Sequence, residues 1–227
     1  MTREHWLSLD EPFAEHSSLR WALVMFAFSF ACWHVTTNLL INEAPIWQNA
    51  IHFGGFAFLA SIVFPGRLFG RSSLAFDLIY GASVAAAACW VVAAESRIYE
   101  ETLAITGQSW QFNIFDWTAG LLLIFAALDF SRRVSGWVIP FLIIVSVSYI
   151  LFLGEYLPGV FRTASLPLDD VLFRTIYNDE GLFGFLANIS SSNIALFMIF
   201  GGFLVVSGAS DFVIEISKVV AGRIRGG

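Results

Sequence analysis

The chain has few charged residues and almost no cysteine. Only 13% of its 227 residues are Asp, Glu, Lys or Arg, about half the share of a soluble globular domain, so an ordinary water-soluble domain is excluded. The net charge of −6, with no basic stripe, argues against nucleic-acid binding. The two cysteines, Cys32 and Cys89, lie inside apolar runs. This position indicates that both serve as small packing residues and that they form neither a disulfide nor a metal site.

The sequence also lacks a cleavable leader and a recognisable catalytic motif. Residues 1–19 are polar and acidic without an apolar centre, so we expect a cytoplasmic tail followed by an uncleaved first anchor. No nucleophile–base pair, phosphate-binding glycine loop or metal-ligand spacing occurs in the predicted water-facing segments. We therefore do not expect an enzyme.

Apolar residues, in contrast, make up 57% of the chain and are concentrated in long runs. Most runs have about 17–21 residues, which as helices match the ~30 Å hydrocarbon core of a bilayer at about 1.5 Å per residue. The sequence therefore predicts an all-α polytopic membrane protein with about six spanning helices. The runs cover residues 22–40, 46–64, 74–94, 114–130, 137–153 and 193–209.

Basic residues predict the orientation of these helices. Nine of the twelve Lys and Arg residues fall in one set of alternate gaps, and three fall in the other. The basic side stays in the cytoplasm, so both termini are expected inside. The nine are Arg3, Arg20, Arg67, Arg71, Arg132, Arg133, Lys218, Arg223 and Arg225, and the three are Arg97, Arg162 and Arg174.

The connection between the fourth and fifth runs has two interpretations. Ser135-Gly136 separates the runs by only a few residues. A tight cytoplasmic hairpin fits, and one long broken helix is the alternative.

Two further segments have helical periodicity without the length of a span. One begins near Ser165 and predicts an amphipathic helix on the outer membrane face, and the other follows the sixth run and predicts a cytoplasmic amphipathic helix. Their apolar positions are Leu168, Val171, Leu172 and Ile176 in the first, and Phe212, Ile216, Val219 and Val220 in the second.

Two histidines are the main ionisable residues inside the runs. His34 and His52 are expected at matched depth on neighbouring helices, roughly 9 Å below the outer surface. They would clamp a haem iron or another metal, or each would form an interhelical hydrogen bond. The hydrogen bond is the favoured interpretation because no second ligand pair is present.

An acidic residue is expected to anchor the inner end of the fourth run. Asp129 precedes Arg132 by three residues and Arg133 by four, a spacing that allows ion pairs on a helix. This structural role is favoured over a proton relay because the acid is expected at the membrane interface.

Several stretches resemble one transporter family. Asp129-Phe-Ser-Arg-Arg-Val-Ser-Gly-Trp-Val-Ile-Pro140 is similar to a segment of fused permeases of the tripartite ATP-independent periplasmic (TRAP) transporters, although the family more often has Glu at the first position. Gly154-Glu-Tyr-Leu-Pro-Gly159, Glu180-Gly-Leu-Phe-Gly184 and Ser207-Gly-Ala209 continue the resemblance, which is specific from Asp116 onward.

The resemblance implies uptake of an organic, carboxylate-like solute driven by an ion gradient, usually sodium, across the bacterial inner membrane. The fused type combines a small four-helix part with a large twelve-helix part, and a TAXI-type periplasmic binding protein delivers the solute. Residues 20–135 correspond to the small scaffold part, and residues 136–227 to the beginning of the large part. The family's solute and sodium motifs lie further downstream and have no counterpart here.

No residue of this chain therefore inherits a solute-binding or ion-binding role, and the coupling ion is expected to bind elsewhere. We expect a fragment, an interrupted gene product or a split subunit, with the remainder of the large part, the binding protein and the lipid bilayer as partners. A small bis-histidine haem protein using His34 and His52, and a membrane interaction protein without transport, are the alternatives.

Overall fold

The computed structural model describes residues 17–41, 45–64, 74–104 and 110–221 of the chain. Within these ranges the regular structure is helical and no strand occurs. Six helical segments in the same ranges are long and apolar enough to cross a membrane, which confirms the predicted all-α polytopic fold. Most of the predicted tail, residues 65–73 with Arg67 and Arg71, and the last six positions lie outside the described residues.

In chain order the helices are α1 (Ser17–Leu39), α2 (Pro45–Val63), α3 (Leu74–Ala104), α4 (Ile114–Ser135), α5 (Val138–Ser148), α6 (Leu168–Leu172), α7 (Phe185–Ile189), α8 (Ala195–Val206) and α9 (Ala209–Ala221). Turns of π-helix extend α5 over Tyr149–Leu153 and α6 over Phe173–Tyr177, and another, Ser190–Ile194, joins α7 to α8. Two 3-10 turns, Gly154–Tyr156 and Gly159–Phe161, follow α5.

Successive helices α1 to α4 run in alternate directions. Ring contacts pair Phe26 with Phe58 and His34 with His52, so α1 and α2 are antiparallel. The end where α1 stops and α2 starts also holds the contact between α3 and the start of α4. We call this the outer end, following the charge pattern, and the opposite one the inner end. The described basic residues on α3 and α4 follow the predicted partition, with Arg97 at the outer end and Arg132 at the inner end.

The buried core lies between α2, α3 and α4, and the segment from α6 to residue 183 covers its outer end. Buried positions on α3 and α4 recur at helical spacing, as expected for faces that meet along their length. Close approach depends on small residues. The core includes Ala50 and Ala57 on α2, Val84, Ala88, Val91 and Ile98 on α3, Ala119, Leu123 and Ala126 on α4, and Ile176, Tyr177 and Phe183 outside them.

Small residues in the apolar runs differ in their environment. A methyl group built on Gly54 would lie 2.8 Å from the Cβ of Ala88, so α2 and α3 pack with little space between backbones. Gly81 faces Ser61 in the same interface. On α8, a methyl group on Gly201 or Gly202 would meet nothing within 4 Å. Among the described residues, Gly54 and Gly81 thus allow close packing of α2 and α3, whereas Gly201 and Gly202 have no neighbouring helix close to them.

The fourth and fifth runs form the tight hairpin. Gly136 has a φ of 74°, and its N–H donates to the carbonyl of Arg132, which ends α4. The chain then returns to the outer end, because Leu172, beyond α5, contacts Gly120 near the start of α4. One long broken helix is excluded by this return.

Two helices extend further than their apolar runs indicated. α3 continues to Ala104 rather than ending near residue 94, because Glu95 and Arg97 find partners on other helices and remain helical. The last span begins at Phe185 rather than near residue 193. Its serine and asparagine residues resemble a loop in sequence, but the side chains of Ser190, Ser191 and Ser192 bond to helix carbonyls or to α2.

One prediction about side-chain surroundings was wrong. Cys32 and Cys89 are both exposed rather than packed inside, since a run that is apolar on all sides does not indicate which face is buried. The segment predicted as the outer amphipathic helix is the five residues of α6 with its π turn, and it packs against the outer ends of α3 and α4. Ser165 does not cap it, since Pro167 precedes the helix.

The predicted inner amphipathic helix is present as α9, with Asp211 in its first turn and Lys218 in its last. Gly208, at φ 76°, separates it from α8. The proposed boundary between small and large parts coincides with the α4–α5 turn. However, α1 contacts α8 as well as α2. The first four helices are therefore joined to the second half of the chain through α1 and also through α2, which contacts α7, and through α3 and α4, which contact the α6 segment.

Candidate functional site: a polar cluster inside the membrane helices

A chain of hydrogen bonds links α1, α2 and the π turn between α7 and α8. The Nδ1 atom of His34 is 2.9 Å from the Phe30 carbonyl oxygen, and its Nε2 atom is 2.8 Å from Nδ1 of His52. The Nε2 atom of His52 is 3.0 Å from Oγ of Ser190. His34 is buried at 2% exposure. The two histidines that the sequence placed at matched depth are therefore in direct contact.

The groups at the two ends of this series of hydrogen bonds determine which atom donates in each bond. The Phe30 carbonyl only accepts, so His34 must carry its proton on Nδ1, and its Nε2 then accepts from Nδ1–H of His52. The remaining nitrogen of His52 accepts from the hydroxyl of Ser190. Both rings are satisfied in their neutral form, with one tautomer each. The cluster holds three helical elements together without a charge in the membrane.

A second layer of amide side chains lies next to the histidines, towards the outer end. Asn38 on α1 and Gln48 on α2 both donate to the carbonyl of Ser191, at 3.1 and 3.3 Å, and Gln48 also donates to Asn38 Oδ1 at 2.9 Å. Asn49, fully buried, donates to the Phe183 carbonyl at 2.7 Å and accepts from the Ser191 hydroxyl at 2.6 Å. In an apolar surrounding, such bonds hold helices together because unpaired amides are costly.

The π turn explains why one short segment contacts both α1 and α2. A π turn contains an extra residue relative to α-helix, so some carbonyls lose their helical partner, and such turns are frequent at functional sites. Ser190 and Ser191 face α2 there, and the Ser191 carbonyl accepts from other helices. The sequence analysis missed both serines. Their clustering before an apolar run resembles a loop.

The histidine geometry does not suit the haem alternative. Two nitrogens that bind one metal from opposite sides, at about 2.0–2.1 Å each, lie about 4 Å apart. Nε2 of His34 and Nδ1 of His52 are 2.8 Å apart and hydrogen-bonded. Among the described residues, no group of three or more His, Cys, Asp or Glu side chains is placed to hold a metal ion.

A buried ion pair closes the outer end between α3 and α4. Arg97 Nη2 lies 2.7 and 2.6 Å from the two carboxylate oxygens of Asp116, which is fully buried and also accepts from the indole of Trp90. The hydroxyl of Tyr177 donates to the Asp116 carbonyl at 2.7 Å. Burial raises the pKa of Tyr177, and the nearby Asp116 charge raises it further, so this phenol remains a donor.

The inner end has the ion pairs that helical spacing allows. Arg132 Nη2 lies 2.6 Å from Asp129 Oδ1, and Arg133 Nη2 lies 2.5 Å from Asp129 Oδ2 in an ionic contact. Arg133 also donates to the Phe64 carbonyl at 2.7 Å, which ties the end of α4 to the end of α2. Asp129 therefore anchors a helix end, and its carboxylate is neutralised by two guanidinium groups.

A cavity of about 490 Å³ adjoins the histidine chain between α1, α2 and α8. Apolar side chains form nearly all of its wall, and the polar atoms of His34, His52 and Ser190 lie at one end. No ionisable side chain other than the two histidines lines it.

No protein-family model matches the chain, and neither the curated proteins nor the solved structures include a significant match to it. The fold and the polar cluster therefore define the class only as a multi-pass α-helical membrane protein.

Proposed function

We propose that this chain is the scaffold part of a TRAP-type membrane permease in the bacterial inner membrane, serving uptake of an organic solute. The proposal begins from the resemblance of 129–140 and the following motifs to fused TRAP permeases. Its role would be a static platform against which a transport domain moves, a division of labour found in transporters with rocking or gating parts.

The observation that carries the proposal is the uncovered surface of α5. Five consecutive residues, 141–145, are all 42% or more exposed. Five successive residues surround a helix, since it has about 3.6 per turn. Spanning helices gain stability by packing on neighbours. Further helices, such as the rest of a large permease part, would cover α5 and the similarly exposed α8.

The paired polar groups support a static role. The histidine chain is neutral and fully bonded, and Asp116 and Asp129 are each held by arginine. A site that binds and releases a coupling ion needs ligands that are free to exchange. Such ligands are expected outside this segment of the transporter, with Na⁺ as the coupling ion.

Photo-crosslinking in cells tests the partners. A photoreactive amino acid at Tyr156 or Glu180, both exposed at the outer end, should form an adduct with a soluble periplasmic binding protein. The same amino acid at Leu142 on α5 should capture another helical membrane segment. Val134, exposed at the inner end, is the matched control and should capture neither.

The proposal is contradicted if the binding protein is crosslinked only from Val134. It is also contradicted if the photoreactive group at Leu142 on α5 captures lipid alone. The second result would favour a membrane protein without a large permease part.

A further inference from the structure

The cavity beside the histidine chain has the size and wall of a small-molecule site. Its volume of about 490 Å³ lies within the range of about 300–1,000 Å³ that is typical of such sites. Ligand sites combine an apolar wall with a few convergent polar groups. The wall here includes Ala27, Phe30, Phe56, Leu59, Met198 and Ile199.

The polar end of the cavity has a defined hydrogen-bonding character. His34 uses its one proton on the Phe30 carbonyl, and His52 uses its one proton on His34. Ser190 uses its hydroxyl proton on His52. Each donor at this end is therefore occupied. A hydroxyl oxygen has two lone pairs, and no described residue donates to that of Ser190. The polar end of the cavity therefore offers a ligand one hydrogen-bond acceptor, Oγ of Ser190, and no donor.

Charge and location limit the ligand further. All the lining residues belong to the spans that contain α1, α2 and α8, so the cavity lies at membrane depth. Cys32 on α1 is exposed and does not line it, and α2, α7 and α8 contribute no carboxylate, lysine or arginine. A charged ligand would be left without a counter-charge in an apolar site, which is costly.

We propose that this cavity binds an uncharged, membrane-soluble molecule whose polar end carries a hydroxyl donor. The hydroxyl bonds to Oγ of Ser190, and the apolar body lies along Phe30 and Phe56. Alcohols, phenols and reduced quinols fit this description. Ethers, ketones and oxidised quinones lack the donor. The site is independent of the transport role proposed above.

The test uses two photoreactive probes that differ only at the polar end: a long-chain alcohol with a diazirine group, and its methyl ether. The purified full chain in lipid nanodiscs is irradiated with each, and labelled residues are located by mass spectrometry. The alcohol should label Met198 and Ile199 about fivefold more than the ether, the ratio that one hydrogen bond of typical net strength supports.

Two variants and one control make the result specific. Ser190→Ala should reduce alcohol labelling to the ether level. Ser146→Ala is the matched control, because the Ser146 hydroxyl bonds only within its own helix, to Leu142, and it should retain the difference. Ala27→Phe places a ring in the cavity from its exposed side and should reduce labelling by both probes.

Equal labelling by alcohol and ether overturns the proposal, as does a difference that persists in Ser190→Ala. If Ser190→Ala does not fold, Ala27→Phe decides: unchanged labelling by both probes places them outside the cavity and rejects the site.

Discussion

Arg97 on α3 approaches both carboxylate oxygens of Asp116 on α4, at 2.7 and 2.6 Å from a single guanidinium nitrogen. The carboxylate is fully buried, whereas the Arg97 side chain is 33% exposed. The same acid accepts from the N–H of Asn113 and so completes the capping box at the start of α4. Asp116 therefore links α3 to α4 and also caps the N-terminus of α4.

Replacing this acid should destabilise the outer end. In Asp116→Asn the ion pair is lost while the side-chain volume is retained. Breaking a buried pair costs about 3–5 kcal/mol, and because Arg97 is partly exposed the expected loss is about 3 kcal/mol. The measurement is thermal unfolding in detergent, followed by circular dichroism.

The exposed pair between Arg174 and Glu180 is the matched control for that variant. Its side chains are 58% and 60% exposed. Glu180→Gln should change stability by less than about 1 kcal/mol. Equal effects of the two substitutions would show that the buried pair does not hold the outer end.

Two glycines in spanning helices should respond oppositely to alanine. Gly54→Ala places a methyl group 2.8 Å from the Cβ of Ala88 and pushes α2 from α3, so we expect lower stability. Gly202→Ala meets open space on α8, so it should be neutral or stabilise by about 0.5–1 kcal/mol through helix propensity. Comparing the unfolding midpoints of both variants with the parent tests the α2–α3 contact, and a stabilising Gly54→Ala would refute it.

The two arginines at the end of α4 should tolerate lysine differently. The Arg133 side chain is 7% exposed, forms an ion pair with Asp129 and donates to the Phe64 carbonyl. The Arg132 side chain is 30% exposed, donates to Asp129 and lies over the ring of Trp137. Lysine cannot reproduce the planar fork of donors. Arg133→Lys should therefore cost about 1–2 kcal/mol.

The free energy of unfolding of Arg133→Lys is measured by urea titration, with Arg132→Lys as the control. Arg132→Lys should lower that free energy by less than about 1 kcal/mol. A larger loss for Arg132→Lys would mean that the link from α4 to α2 does not depend on Arg133.

The hydrogen-bond chain makes a spectroscopic prediction. At neutral pH, ¹⁵N NMR of imidazole-labelled protein should show His34 and His52 as neutral rings protonated on Nδ1, because the Phe30 carbonyl accepts and Ser190 donates. Ser190→Ala should shift the Nε2 signal of His52 and leave that tautomer in place. An Nε2–H tautomer at either ring in the parent protein would contradict the assigned donors and acceptors of these hydrogen bonds.

Several features followed from sequence because the bilayer constrains them. A span must satisfy its own backbone hydrogen bonds and be long enough to cross, so apolar run length predicts the number of helices. Local spacing predicted the pairing of Asp129 with both arginines, since partners three and four residues apart share a helix face. The two histidines were placed at matched depth by counting residues from the helix ends.

The remaining parts of the site depend on contacts between distant residues. His52 and Ser190 are 138 positions apart, and Asn49 and Ser191 are 142 apart. Nothing local to Ser190 or Ser191 indicates a partner on α2, and polar residues before an apolar run favour a loop in any local interpretation.

The sequence by itself determined that this is a membrane protein, how many helices cross the bilayer and which ends carry the basic residues. Only the tertiary structure decided which helix faces meet, that Cys32 and Cys89 are exposed, and that a π turn brings two serines to the histidines. The physical reason is that lipid and protein interior are both apolar. A run of apolar residues therefore specifies insertion strongly, while the few polar groups inside it select their neighbours only after the helices have packed.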